Sequence, residues 1–119
     1  MNVPEISVEE AAQRLINAAK INDLILYEFY LTDKAGHSMD REFGDRIRDL
    51  LNPFLKYLAE NLAKRDTLLI TSDHGNLENM SIKTHTLNPV PLFVKGEVEF
   101  FKSSESILDV TPSILNLLR

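Results

Sequence analysis

Short apolar runs that alternate with amphipathic helical patterns constrain the fold of this chain most. Residues 24–31 are almost continuously apolar and aromatic, and residues 67–70 and 90–94 form shorter runs of the same kind. A run without polar alternation is typical of a strand that is covered on both faces, as in a parallel sheet. With helical patterns between these runs, the sequence predicts an α/β fold with a mostly parallel sheet and flanking helices.

The first two helical patterns have clear start signals. Residues 7–10 read Ser-Val-Glu-Glu, the spacing of a capping box, and the helix that follows is expected to end near Ala19. A second helix is expected from about residue 38, because apolar residues recur at helical spacing as far as Leu62. Pro53 lies inside this pattern and lacks an amide donor, so we expect a kink or a break there.

The C-terminal part is expected to add a short strand and a final helix. Residues 97–102 are read as a further edge strand. Asp109 is expected to cap the last helix, with Pro112 in its first turn, where a missing donor is tolerated. At 119 residues, the chain has the length of a single domain, which we place over residues 1–119.

Composition excludes several classes of function. The chain has no cysteine, which excludes disulfides, cysteine-based zinc sites and thiol nucleophiles. Its formal net charge is −5 and its basic residues are scattered among the acidic ones, so we expect neither nucleic acid nor a membrane surface as a partner. No apolar run reaches transmembrane length and the polar N-terminus does not resemble a secretory signal, so a cytoplasmic location is expected.

Two aspartates and the three histidines of the chain point to metal binding. Asp73 and His74 follow the run at residues 67–70, Asp33 and His37 follow the first run in a predicted loop, and His85 lies in a second predicted loop. A glycine directly after His74 frees the backbone to turn both side chains of that pair toward one ion.

Mixed carboxylate and imidazole ligands suit zinc, manganese or iron. Five protein ligands exceed what one tetrahedral ion takes, so the sequence predicts two ions that share the set. Two ions about 3.5–4 Å apart can stabilise both the attacking and the leaving oxygen of an in-line displacement at phosphorus.

Each of these residues also has an ordinary structural explanation. A single loop histidine is usually a polar surface residue, and Asp33 or Asp73 could cap a turn or a helix. The joint placement of all five residues favours the metal site. Glu28 is expected to face an edge or to pair with a cation rather than to orient a histidine. Asn76 and Glu78 could contact substrate or support a ligand, but polar loop residues are more often solvated, which is the expectation for both.

Several segments resemble one enzyme family. The stretch Asp-His-Gly-Asn-Leu-Glu-Asn-Met at residues 73–80, followed by Thr-His-Thr at 84–86 and Pro-Val-Pro at 89–91, resembles cofactor-independent phosphoglycerate mutases. More broadly, it is similar to the alkaline phosphatase superfamily of metalloenzymes. Asp-Lys-Ala-Gly-His at residues 33–37 is similar to that family's Asp-x-x-Gly-His segment, and residues 109–115 are similar to the helix that ends many of its members.

The resemblance implies a role for each candidate ligand. It implies that Asp33, His37 and His85 bind one divalent ion and that Asp73 and His74 bind a second. The ions would be manganese or zinc. The implied chemistry is phosphoryl transfer or phosphate ester hydrolysis on a small phosphorylated substrate, through a phosphorylated serine or threonine that the metals activate.

The resemblance covers about residues 24–118 and implies the C-terminal half of an alkaline-phosphatase-like domain. The family's nucleophile and a further metal-binding aspartate come from the preceding half, and nothing in residues 1–23 matches them. Ser38, Ser72 and Thr86 do not match the nucleophile position either. We therefore expect a partial domain that is inactive alone and has a weakened Asp-His site. Its open strand edges would require the missing half or self-association into a homo-oligomer.

Two other functions stay open. The chain could be a non-catalytic metal-binding or oligomerising module that has kept the ligands without the chemistry, or a plain α/β interaction domain without metal. Metal-dependent melting separates the last of these from the others, because an ion that binds only the folded state raises stability. A serine or threonine after a strand end in the preceding gene sequence would favour the enzyme.

Overall fold

The computed structural model describes residues 4–119. This part of the chain forms helices and a small sheet, so its α/β character is confirmed. The helices are α1 (Val8–Ala19), α2 (Leu31–Ser38), α3 (Arg41–Asn61) and α4 (Val110–Leu117), the strands are β1 (Leu68–Thr71) and β2 (Leu92–Lys95), and short 3₁₀-helices lie at Val98–Phe101 and Ile107–Asp109.

Helix α1 forms as the sequence predicts and packs against α3. The hydroxyl oxygen of Ser7 accepts a hydrogen bond from the backbone amide of Glu10 at 3.1 Å, which satisfies a free donor at the start of α1. Partly buried hydrophobic residues, most of them leucines, surround the core between α1 and α3, which consists of four buried side chains: Ala12, Ile16, Phe54 and Leu58. This helix pair is the main hydrophobic core that the described residues form.

Helix α3 is continuous through Pro53, so the predicted break is wrong. Pro53 lies on the exposed face of α3, where the backbone carbonyl that loses its partner can bond to water. The helix begins one residue after Asp40, whose carboxylate accepts a hydrogen bond from the amide of Phe43 at 3.1 Å. None of the helices in residues 4–119 combines the length and apolar character needed to cross a lipid bilayer.

The sheet differs from the predicted one. Within residues 4–119 it has two strands, β1 and β2, which pair antiparallel with Ile70 opposite Phe93. Residues 24–29 form no strand, and Leu31 begins α2 instead. Residues 98–101 form a 3₁₀-helix rather than an edge strand. A strand needs a neighbour for its backbone groups, and the apolar runs reveal which residues favour a sheet but not which neighbour is present.

The chain exposes more surface than a compact domain of its size, and part of it is apolar. Its accessible surface is 9028 Å², whereas a folded monomer of 13.6 kDa exposes about 6,600 Å². Its radius of gyration is 15.6 Å, against about 13.5 Å for a compact chain of this length. Much of the exposed apolar area lies in residues 24–30, where Leu26 is 92% exposed and Tyr30 is 70% exposed.

Asp109 caps a turn other than the one that the sequence predicts. It makes no side-chain cap for α4. Its carboxylate instead accepts hydrogen bonds from the backbone amides of Glu105 and Ser106, at 3.0 and 2.8 Å, and from the Ser106 hydroxyl at 3.1 Å. These bonds close a capping box around the 3₁₀-helix that leads into α4.

Asp109→Asn is expected to lower the melting temperature at neutral pH by a few degrees, because the amide loses the charge that these donors stabilise. The backbone amides of Glu105 and Ser106 lower the pKa of Asp109. This stabilisation is therefore complete above the carboxyl group's ordinary pKa and is lost as the pH falls through the lowered value. Thermal denaturation at several pH values checks this, with Asp45→Asn as a surface control; a melting difference that persists in strong acid would contradict it.

Candidate metal centre

Asp33 and His37 are brought together by a helix rather than by the predicted loop. Helix α2 spans Leu31–Ser38, so the two residues lie four apart, one turn above each other on the same helix face. Met39, the residue directly after α2, adopts the left-handed conformation with a φ of 56° and ends the helix. The sequence signal for this arrangement is the i, i+4 spacing of Asp33 and His37.

The other three residues come from two loops that meet beyond the end of β1. The loop that follows β1 carries Asp73 and His74, and the next loop carries His85. The amide of Thr86 donates a hydrogen bond to the carbonyl oxygen of Gly75 at 2.9 Å, which joins the two loops by an isolated antiparallel bridge. The imidazole rings of His74 and His85 therefore stack, with centroids 3.5 Å apart.

The carboxylate oxygen Oδ1 of Asp33 lies in the middle of the resulting cluster. It is 3.3 Å from Nε2 of His37, 3.8 Å from Nε2 of His74 and 3.6 Å from Nε2 of His85. Asp73 lies at the edge, with its Oδ1 3.5 Å from Nε2 of His74 and its side chain 80% exposed. The structure thus places all five predicted residues in one cluster; their assignment as ligands stays a prediction.

Three of these atoms have the spacing of ligands around one ion. With ligands about 2.0–2.1 Å from a tetrahedral zinc ion, neighbouring ligand atoms are about 3.4 Å apart. Asp33 Oδ1, His37 Nε2 and His85 Nε2 are separated pairwise by 3.3, 3.6 and 3.2 Å. Asp33, His74 and His85 form an overlapping group with ligand atoms within 4.8 Å of one another. The two groups share Asp33 and His85, so they overlap.

Hydrogen bonds around the cluster orient the imidazole rings, and Nε2 of His37 lies within hydrogen-bond distance of Nε2 of His85, at 3.2 Å. His37 Nδ1 is 2.6 Å from the backbone carbonyl oxygen of Lys83. A carbonyl only accepts, so Nδ1 of His37 is the donor in this bond, and Nε2, which lies beside Asp33, is the nitrogen that would supply a lone pair to an ion. His74 Nδ1 is buried without a hydrogen-bond partner among the residues that the structure describes. Imidazole nitrogens set beside a carboxylate fit a divalent transition metal ion.

Comparison with known proteins places the chain in a family. The sequence model of the Metalloenzyme superfamily matches residues 2–119, almost the entire chain. The chain belongs to this superfamily. No solved structure matches it. The predicted resemblance to a superfamily of metalloenzymes is therefore confirmed, and the histidine–aspartate cluster is the part of the fold that has the chemistry of a metal centre.

Curated relatives of this superfamily member are phosphoglycerate mutases. The chain is 32% identical to the 2,3-bisphosphoglycerate-independent phosphoglycerate mutase of Desulforudis audaxviator, over 97% of this chain and 24% of that protein. The corresponding enzyme of Hahella chejuensis is 33% identical with the same coverage, and that of Clostridium perfringens is 31% identical, with 25% of its length covered. The chain spans about a quarter of the length of the curated relatives that it matches.

One residue beside the metal-ligand candidates is buried rather than solvated, contrary to the expectation. Asn76, expected to be solvated, is 5% exposed. Its side-chain amide donates to Oδ1 of Asp33 at 2.7 Å and to the backbone oxygen of Asp33 at 3.3 Å. Its Oδ1 packs against Gly36, where an added Cβ would lie 2.5 Å from Asn76 Cγ. Asn76 therefore orients the central carboxylate, and its position two residues after His74 is the signal that could have indicated it.

Glu78 is exposed but is not simply solvated, contrary to the prediction. Its carboxylate accepts hydrogen bonds from the Thr86 hydroxyl, from the side-chain amide of Asn88 at 3.0 Å and from the backbone amide of Asn76 at 2.6 Å. The Thr86 hydroxyl, followed by these amides, lowers the pKa of Glu78 to about 2. The carboxylate is therefore ionised across the neutral pH range.

The remaining candidates from the sequence make contacts outside the ligand cluster. Glu28 is exposed and accepts a hydrogen bond from a neighbouring tyrosine hydroxyl at 3.0 Å. The hydroxyls of Ser38 and Ser72 donate to backbone carbonyl oxygens at 2.7 and 2.8 Å, and that of Thr86 donates to Glu78. Each of the three hydroxyls thus has a structural hydrogen bond.

Proposed function

We propose that this chain supplies the metal-binding part of a phosphoryl-transfer site that acts on a small phosphorylated substrate. One observation carries the proposal: Asp33 Oδ1 and the Nε2 atoms of His37 and His85 lie 3.3, 3.6 and 3.2 Å apart, as ligands of one ion do. Membership of the Metalloenzyme superfamily supports it, as does the similarity to enzymes that are named phosphoglycerate mutases.

The proposed cofactors are two divalent ions, manganese or zinc. Asp33, His37 and His85 would hold one, and Asp73 and His74 the other. Ions bound there would polarise a phosphoryl oxygen and lower the pKa of an attacking hydroxyl. The chain's own residues hold the donors in place for this: Asn76 fixes the central carboxylate, and the backbone carbonyl that binds His37 fixes its tautomer.

The nucleophile is proposed to come from polypeptide outside this chain. The hydroxyls of Ser38, Ser72 and Thr86 are each engaged in a structural hydrogen bond. The exposed apolar surface of residues 24–30 supports the same view, since hydrophobic area of this kind usually contacts another element. We propose that the rest of a larger domain covers it and that these residues then form the predicted parallel strand. Light scattering tests the alternative that a second copy covers it, in which case the chain is a stable oligomer.

Titration with Mn²⁺ and Zn²⁺, followed by calorimetry and thermal denaturation, tests the proposal. Binding to the folded state alone adds about 2.7 kcal/mol of stability at a free metal concentration 100 times the Kd, so the melting temperature is expected to rise with either ion and to fall again with a chelator. The chain alone is expected to hydrolyse p-nitrophenyl phosphate no faster than the metal ion in buffer. Absence of binding would overturn the metal assignment, and rapid hydrolysis would overturn the need for a further segment.

A further inference from the structure

The two loops that carry His74 and His85 meet through one carboxylate. Glu78 Oε2 accepts from the backbone amide of Asn76, at 2.6 Å, within the first loop. Its Oε1 accepts from the Thr86 hydroxyl and from the Asn88 side-chain amide, at 3.0 Å, both in the second loop. Three donors thus converge on the two oxygens of one side chain, and they belong to both loops.

Gly75 has no side chain, and this leaves the space that the junction occupies. An added Cβ at Gly75 would lie 2.7 Å from Glu78 Oε1 and nearer still to the Thr86 hydroxyl oxygen. The Thr86 hydroxyl also accepts a hydrogen bond from the backbone amide of Asn88, at 3.3 Å. The contact between the loops is therefore a packed network of hydrogen bonds. In this network, Glu78 accepts from both side-chain donors, the Thr86 hydroxyl and the Asn88 amide.

We propose that Glu78 is a positioning residue that joins the two histidine-bearing loops and holds the imidazoles of His74 and His85 together before any metal ion binds. The chemistry requires a carboxylate, because a glutamine amide would present its own N–H groups to at least one of the three donors. Glu78 itself does not reach the cluster and is not a ligand. The consequence for metal affinity rests on the proposed function; the joining of the loops does not.

Hydrogen exchange of the metal-free chain tests the first part. In Glu78→Gln and in Thr86→Val, which removes the hydroxyl and keeps the branched shape, the Thr86 amide is expected to exchange about tenfold faster or more. Thr86→Ser keeps the donor and is expected to exchange as the wild type does. Amides of α1 and α3 are expected to be unaffected, which separates positioning of the loops from a general loss of stability. Unchanged exchange at Thr86 in both Glu78→Gln and Thr86→Val would overturn the proposal.

Calorimetric titration with Mn²⁺ tests the second part. Glu78→Gln and Thr86→Val are each expected to weaken Mn²⁺ binding roughly 10- to 100-fold, and the double variant is expected to be no weaker than the worse single one, because both remove the same junction. Glu60→Gln, an exposed glutamate on α3, is the control. Wild-type affinity in Glu78→Gln would overturn the proposal. A wild-type chain that binds no metal would overturn the proposed function instead, and the exchange experiment would still decide the role of Glu78.

Discussion

Asp33→Asn is expected to abolish the rise in melting temperature that Mn²⁺ or Zn²⁺ produces. Oδ1 of Asp33 lies 3.3–3.8 Å from Nε2 of all three histidines, and both three-residue groups in the cluster include it. Substitution of a residue that only orients a ligand typically costs 10- to 100-fold in metal affinity. Loss of the central ligand itself is therefore expected to raise the Kd by roughly 100-fold or more, which calorimetry can measure directly.

Asp73→Asn is the matched control for this prediction. Asp73 carries the same side chain in the same cluster, but it is 80% exposed and contacts the imidazole of His74 alone. Its loss is expected to weaken binding of the first ion far less than the loss of Asp33. Equal losses in the two variants would contradict a cluster that is centred on Asp33, and would favour binding that depends only on the total negative charge.

The candidate site could be predicted from the sequence more completely than the fold around it. Asp73 and His74 follow a strand directly and precede a glycine, so local sequence was enough to indicate them. The capping box at Ser7 likewise gave the start of α1 correctly, because both partners of the hydrogen bond lie within one turn. These features depend on neighbours in the chain, and no distant contact has to be known to recognise them.

Features that depend on distant residues could not be predicted. Residues 24–31 have the composition of a buried strand, but the part of the chain that the structure describes gives them no neighbouring strand. Asn76 looked like a solvated loop residue because its burial depends on Asp33 and Gly36, some forty positions earlier. The segment from Asp33 to His37 is predicted as a loop but forms a helix, in which Gly36 is the site of contact with Asn76.

Gly36→Ala is expected to destabilise the fold by about 1–3 kcal/mol, although alanine is intrinsically the better helix residue by about 0.5–1 kcal/mol. The new Cβ would lie 2.5 Å from Cγ of Asn76, and Asn76 is too buried to move aside. Either α2 or Asn76 must shift, and both movements disturb Asp33, so metal affinity is expected to fall roughly 10- to 100-fold as well. Urea denaturation and calorimetry measure the two effects.

Gly44→Ala provides the comparison that isolates this contact. Gly44 is also a buried glycine within a helix, but a Cβ there would lie closest to Sδ and Cε of Met80, at 3.0 and 3.2 Å, at the end of a flexible side chain that can move, and in ordinary contact with Leu77 Cδ1 at 3.7 Å. Helix propensity then dominates, and the variant is expected to be as stable as the wild type or more so, with unchanged metal affinity. If Gly36→Ala were also as stable as the wild type with unchanged metal affinity, the prediction would be contradicted. Asn76 could then move away from Asp33 without loss, and its hydrogen bond would not be what positions the central carboxylate.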